Sequence, residues 1–300
     1  MSATNTAVPD VSLVICTRNR GAQLRRCLRR LSELQCIRPW ELIVVDNGST
    51  DDTAQILHQF QRAFDGTALI VREATPGLAR ARNRGWEASR GSVVAFTDDD
   101  CYPDAQFLTC ILQHFDADPG IGYLGGRILL FDQQDYRVTL LEYPEPIDLK
   151  SGYIIATGTI QGANMSLRRS VLEAVGGFDE SLGAGTPFPS EDIDIAARAS
   201  ALGWRGAYRP DVVVYHHHGR RTAAEANQLM RSYDRGRGAY YAKCLLNARI
   251  RRSALKHWLR MIPRQSLQQT ARELAAGFVF TLHHYSRRRA TASATGRLAT

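Results

Sequence analysis

The residues best suited to chemistry in this chain are carboxylates placed where apolar segments end. Asp98, Asp99 and Asp100 directly follow the run S-V-V-A-F-T, and three adjacent carboxylates repel one another unless a cation neutralises them. Hard oxygen donors of this kind favour Mg2+ or Mn2+. Asp98 and Asp100 are expected on one side, because side chains alternate along an extended chain. Asp46 ends a second apolar run in V-V-D-N-G-S-T. Its carboxylate can accept from a base N–H or a ribose hydroxyl, or it can brace the turn that follows. Thr17 and Asn19, at the end of the first apolar run, admit the same two roles.

Further along, P-G-L-A-R-A-R-N-R-G brings Arg80, Arg82, Asn83 and Arg84 to a helix start. Cations there can meet base or phosphate oxygens, but arginines spaced by two cannot all share one helix face. At most two serve as ligands, Arg82 foremost. In P-S-E-D-I-D, Glu191 and Asp192 open a helix that Ile195, Arg198, Ala199 and Leu202 continue. Acids in a first helical turn complement the dipole, and a carboxylate so placed can also act as a general base toward a hydroxyl. His216, His217 and His218 follow V-V-V-Y. A neutral imidazole at a strand end can be the third ligand of a carboxylate-bound ion, whereas zinc is disfavoured without a nearby cysteine pair.

These groups need a scaffold, and the apolar pattern supplies one. V-S-L-V-I-C, Val11 to Cys16, is β-branched and nearly all apolar, as in a central strand covered on both faces. Leu24, Cys27, Leu28, Leu31 and Leu34 then recur at steps of three and four, with Arg25, Arg26, Arg29 and Arg30 on the other face. Strand Glu41 to Asp46 precedes a helix carrying Ile56, Leu57, Phe60 and Phe64, capped by Ser49 or Thr50. Strand Ala68 to Arg72, a helix ending near Gly91, and the strand before Asp98 repeat the unit. Alternation of this kind predicts an α/β fold with a mainly parallel sheet flanked by helices, its ligands at the carboxyl ends of the strands. A helix to about Phe115, a strand around Ile121 to Phe131, short helices from about Arg169 and from Glu191, and a strand Val212 to Tyr215 follow.

Charge divides the chain. Residues 1–216 hold 21 Lys/Arg and 27 Asp/Glu, a net −6, and residues 217–300 hold 17 and 3, a net +14. The basic part is helical in pattern and suits an anionic membrane surface; nucleic acid is not expected, since its arginines match no recognition motif. Leu255, Trp258, Leu259 and Ile262 share a helical spacing among Arg251, Arg252, Lys256, Arg260 and Arg264, an interfacial pattern. The apolar stretch L-A-A-G-F-V-F-T-L is shorter than the ~20 residues a spanning helix requires, so it is expected on the membrane or against the α/β part of the chain. Six scattered cysteines without C-x-x-C, and an N-terminus unlike a secretory signal, point to buried thiols and a cytoplasmic location, peripheral at the membrane's inner face.

Taken in order, V-S-L-V-I-C-T-R-N-R, V-V-D-N-G-S-T-D-D-T, G-L-A-R-A-R-N-R-G, F-T-D-D-D-C-Y-P-D, G-A-N-M-S-L-R-R, G-G-F-D-E-S-L-G and S-E-D-I-D resemble glycosyltransferase family 2. The resemblance covers about Val11 to Gly219. It implies a GT-A fold in residues 1–219, with a nucleotide-sugar half about 11–104, an acceptor half about 105–219, and a basic helical C-terminal extension in 220–300. It also implies a metal-dependent, inverting transfer from a nucleotide diphosphate donor, a UDP-sugar foremost, to a hydroxyl of a saccharide or lipid-linked acceptor.

By the same resemblance, Asp46 is a base or ribose contact, Asp98 a nucleotide or metal contact, and Asp100 and His216 hold Mn2+ or Mg2+ with Asp98; Thr17, Asn19, Arg82 and Asn83 join the nucleotide-binding set from their positions at strand and helix ends. Asp192 is the implied catalytic base with Glu191 beside it, and Asn164 borders the acceptor. The motif D-D-D-C departs from the usual D-x-D-D, which leaves Asp99 without a simple equivalent role and keeps it as an alternative ligand. A sugar nucleotidyltransferase or dinucleotide oxidoreductase would need a glycine-rich loop after the first strand, where this chain has C-T-R-N-R. A non-catalytic nucleotide- or carbohydrate-binding protein of the same fold is the alternative, and its mark would be loss of the acids that are present here.

Overall fold

The computed structural model describes residues 8–296. In chain order the elements are β1 (Val11–Thr17), α1 (Gly21–Leu31), β2 (Trp40–Asp46), α2 (Thr53–Ala63), β3 (Thr67–Arg72), α3 (Leu78–Ala88), β4 (Val93–Asp98), β5 (Cys101–Pro103), α4 (Phe107–Ala117) and β6 (Ile121–Leu130). There follow β7 (Ile147–Leu149), β8 (Met165–Arg168), α5 (Arg169–Val175), α6 (Glu191–Ala201), β9 (Arg205–His216), α7 (Ala223–Leu246), α8 (Arg251–Met261) and α9 (Leu267–Gly296).

One nine-stranded sheet runs in the order β3-β2-β1-β4-β8-β6-β9-β5, with β7 also on β9. Its first four strands are parallel, because each βα unit must return its chain to the same edge. Beyond β4 the sheet is mixed: β8 is antiparallel to both neighbours, while β6 and β9 are parallel. The register is what matters for function. It sets Thr17 beside Asp46 and Cys16 beside Asp98, so three strand ends finish level at the carboxyl edge.

Apolar packing covers both sheet faces. Leu13, Ile15, Leu42 and Val44 meet α1, α2 and α4 on one side, through Leu24, Leu57 and Ile111 among others. Val14, Ile43, Val94 and Phe96 meet α3, α5 and α6 on the other. At Gly85 of α3 an added Cβ would lie 2.4 Å from Val14 Cγ1, so the absence of a side chain lets this helix lie close on β1. The second core also takes in Tyr240, Tyr241 and Cys244 of α7 and Ala254 of α8. The basic C-terminal helices are thus packed into the fold.

Three local expectations are corrected. Asp99 and Asp100 form a turn between β4 and β5, so strand alternation does not extend past Asp98 and does not align Asp98 with Asp100. Helix α2 starts at Thr53 with Asp52 at its cap position, while Ser49 and Thr50 are drawn to the end of β1 instead. The last strand begins at Arg205, well before Val212, and carries a register shift opposite Gly126 and Arg127. No helix of the described residues is long and apolar enough to cross a membrane.

Candidate active site

The level strand ends build the floor. Thr17 Oγ1 donates to Asp99 Oδ2 at 2.7 Å, tying β1 to the acidic turn. Asp46 accepts the Ser49 N–H at 2.9 Å with one of its two carboxylate oxygens. Asn19, held at φ +53°, accepts the Thr50 N–H at 2.7 Å, and its own N–H donates to Ser49 Oγ at 3.0 Å. The turns after β1 and β2 are therefore one hydrogen-bonded unit at the sheet edge.

Two arginines hold the acids. Arg82 is buried and reaches Asp98 at 3.0 Å and Glu191 at 2.6 Å, joining the end of β4 to the start of α6. Arg20 reaches Asp99 at 3.1 Å and Asp100 at 2.7 Å from the segment after β1. Sequence reasoning missed Arg20; its place directly after the first strand, beside Thr17 and Asn19, was the available signal. Burial raises the Asp99 carboxyl to about 6 against the opposing pull of Arg20 and Thr17. Burial also works against ionisation of Asp100, but His216 and Arg20 outweigh it and hold that group below the usual carboxylate range.

Asp100 and His216 form the candidate cation site. His216 Nε2 lies 3.4 Å from Asp100 Oδ1, although 116 positions separate them, because β5 pairs with β9 and sets Cys101 opposite His216. The Thr139 hydroxyl donates to Val138 O at 2.6 Å, so it accepts from His216 Nδ1 at 3.1 Å, which orients Nε2 toward Asp100. A carboxylate and an oriented imidazole suit Mn2+ or Mg2+. Cys101 Sγ completes the cluster spatially, but a soft sulfur donor is a poor match for hard Mn2+ or Mg2+. Asp98 turns to Arg82 rather than to this cluster. His217 and His218 are used elsewhere: His217 packs by Phe131 and Tyr102, and His218 accepts from Arg220 N and donates to Tyr136 O.

At the start of α6 the two acids differ. Glu191 is buried and paired, whereas Asp192 is partly exposed and, among the described residues, has no ion-pair partner. Asp192 Oδ2 accepts the Gly162 N–H at 2.8 Å, which aims the carboxylate. Burial raises the proton affinity of both acids, with Arg82 opposing. Asn83 does not face this cluster: its amide is spent on Phe178 N and O and on Trp86. Asn164 is 1% exposed and donates to Arg127 O and Val212 O, a brace between strands. Arg80 pairs with Glu180 at 2.5 Å, outside the cluster.

Residues 12–176, more than half of the chain, match the family described as Glycosyl transferase family 2. Glycosyltransferase AglE of Haloferax volcanii is 28% identical over 211 residues, 70% of this chain and 67% of that protein. Pre-mycofactocin glycosyltransferase of Mycobacterium tuberculosis is 31% identical over 215 residues, 70% of this chain but only 43% of the relative, so less than half of that longer protein is represented. Among solved structures, mannosyltransferase PcManGT from Pyrobaculum calidifontis, in complex with GDP-Man and Mn2+, aligns with a TM-score of 0.60 at 20% identity, covering 96% of this chain and 85% of that one. S. aureus TarS 1-349 in complex with UDP-GlcNAc gives 0.64 at 16% identity, covering 89% and 79%. These structural likenesses establish a shared fold.

Proposed function

We infer, for a chain that belongs to glycosyl transferase family 2, that it moves a sugar from a nucleoside diphosphate donor to a hydroxyl of a saccharide or lipid-linked acceptor in one inverting displacement. The observation that carries this reading is Arg82, which physically joins Asp98 at the end of β4 to Glu191, the neighbour of Asp192, at the start of α6. Nucleotide-side and acceptor-side groups thereby share one cluster. The complexes of the two structural neighbours, with GDP-Man and Mn2+ and with UDP-GlcNAc, support a sugar nucleotide as donor; a UDP-sugar is the first choice.

In this reading Asp192 is the base. It is the acid left unpaired and partly exposed, it is aimed by Gly162, and burial makes it more basic than a solvated aspartate. It takes the acceptor proton as the acceptor oxygen attacks the anomeric carbon. Glu191 and Arg82 hold the start of α6 in place, and Asp46, Thr17 and Asn19 line the nucleotide side. Asp100 and His216 would hold Mn2+ or Mg2+, which when bound offsets charge on the departing diphosphate. On α8, Leu255 and Leu259 are about half exposed beside Arg251, Arg252, Lys256 and Arg260, which supports peripheral attachment to an anionic membrane carrying the acceptor.

Thermal stabilisation by a panel of UDP- and GDP-sugars, with and without Mn2+, identifies the donor. With that donor, Asp192→Asn should lower turnover by at least ~10²-fold at nearly intact donor affinity. Normal turnover by Asp192→Asn with a dead Glu191→Gln would move the base by one residue. Donor binding without any turnover by the unaltered chain would favour the non-catalytic alternative.

A further inference from the structure

Helix α7 lies beyond the segment that matches the family, which ends at residue 176, yet one stripe of it runs along the catalytic region. Tyr233, Gly236, Tyr240 and Lys243 recur at steps of three and four, so they share a face. Each of the last three has a defined partner. At Gly236 an added Cβ would lie 1.8 Å from the Pro189 carbonyl oxygen, and Ser190 Oγ donates to Gly236 O at 3.1 Å. Tyr240 donates to Ile155 O at 2.8 Å. Lys243 reaches Asp194 at 2.8 Å and Asp179 at 2.5 Å.

These contacts set a direction. Gly236 meets the two residues just before α6, and Lys243 meets Asp194 within its first turn, so α7 and α6 advance together. The stripe position before Gly236 is Tyr233, which therefore projects past the beginning of α6, where Glu191 and Asp192 are presented. Helical side chains lean toward their own N-terminus, which carries the ring further the same way. Tyr233 is half-buried and lies within electrostatic reach of Asp192, Arg220, Asp98 and Glu191. Burial, then the charge of Asp192, keeps its hydroxyl protonated.

We propose that α7 is a working part of the site: Gly236 seats the start of α6 so that Asp192 is held in place, and Tyr233 covers the acceptor side of Asp192. There its ring packs on the incoming sugar and its hydroxyl is a donor, while water is kept from the base. The proposal rests on the glycosyl-transfer reading and assigns to the basic extension a role in acceptor use. Gly236 is a positioning residue; Tyr233 is the group that meets the acceptor.

The test needs no acceptor, because water can replace it. Release of nucleoside diphosphate from the donor that stabilises the unaltered chain is followed alongside donor Kd. Opening the acceptor side in Tyr233→Ala should raise hydrolysis about 5-fold or more with donor Kd within about twofold, and Tyr233→Phe, which keeps the ring, should raise it less than Tyr233→Ala does. Gly236→Ala displaces the base and should cut hydrolysis at least ~10-fold, again without changing donor Kd. Should Gly236→Ala fail to fold, the two Tyr233 variants still decide. Hydrolysis by Tyr233→Ala at or below the unaltered rate overturns the proposal, as does a donor Kd that weakens in step with the rate. An unaltered chain that binds no sugar nucleotide sinks the underlying reading instead, so the two failures are distinct.

Discussion

Replacing Arg82 by methionine keeps a stem of similar length and removes the cation that joins Glu191 at 2.6 Å and Asp98 at 3.0 Å. The two acids respond differently. Asp98 has a side chain 32% exposed and is screened by water, so its loss counts little. Glu191 is 7% exposed, and breaking a buried pair by removing one partner costs about 3–5 kcal/mol. That cost depends on pH. Burial already raises the proton affinity of Glu191 above its ordinary value of 4.5, and Arg82 is the force opposing it. Without Arg82 that affinity rises further, so the folded variant holds a proton at Glu191 over a wider range above 4.5 than the unaltered protein does, and its stability falls more as pH rises through that window. Asp192 is raised by the same causes and acts with the same sign. The variant should therefore lose about 3 kcal/mol or more at pH 8, where an uncompensated buried charge is forced, and no more than about half of that at pH 5. Urea unfolding of both proteins at the two pH values, with matching m-values, measures the difference. An equal loss at both pH values, or a loss under about 1 kcal/mol at pH 8, would refute the assignment of Arg82 as the counter-charge of a buried acid.

Two further expectations follow from the same contacts. Titration with Mn2+ alone should show binding at least ~10-fold weaker for Asp100→Asn and for His216→Ala, while Cys101→Ala binds as before; equal weakening by Cys101→Ala would place the thiol in the site. The double substitution Leu255→Glu, Leu259→Glu should lower co-sedimentation with phosphatidylglycerol vesicles to the level seen with phosphatidylcholine, and equal recovery in the supernatant for both proteins at low salt would remove the membrane contact. Point variants are the suitable comparison here, because cutting the chain after Gly219 would strip Tyr240, Tyr241 and Cys244 from the core.

The amino-acid order by itself determined the elements and the edge at which the chemistry lies. Runs such as Val11 to Cys16 and Glu41 to Asp46 are apolar at almost every position, which only a strand covered on both faces can use. An acid that directly follows such a run is then carried to the end of the sheet. Asp46 and Asp98 were placed by that argument alone, and Glu191 and Asp192 by the helix that they open. What remained for the tertiary structure was partnership. Periodicity reports which face of an element is apolar, and says nothing of what arrives from elsewhere in the chain.

The pairing of Asp100 with His216 depends on β5 meeting β9, and the exclusion of Asp98 from that pair depends on a turn at Asp99 and Asp100 that strand alternation does not describe. Asn83 sits among arginines in a motif that suggests phosphate, but its amide is consumed by Phe178. Arg82 can be buried only because two acids from separate elements meet it, and Arg20 gains its role only when the acidic turn folds back over β1. The basic charge of residues 217–300 was plain in the composition, yet the seating of Gly236 against Pro189 required two helices to approach with no Cβ between them. Local order settles which residues can form an element, because that free energy is local; the site is settled by contacts between distant residues, whose desolvation is offset only when every partner is in place.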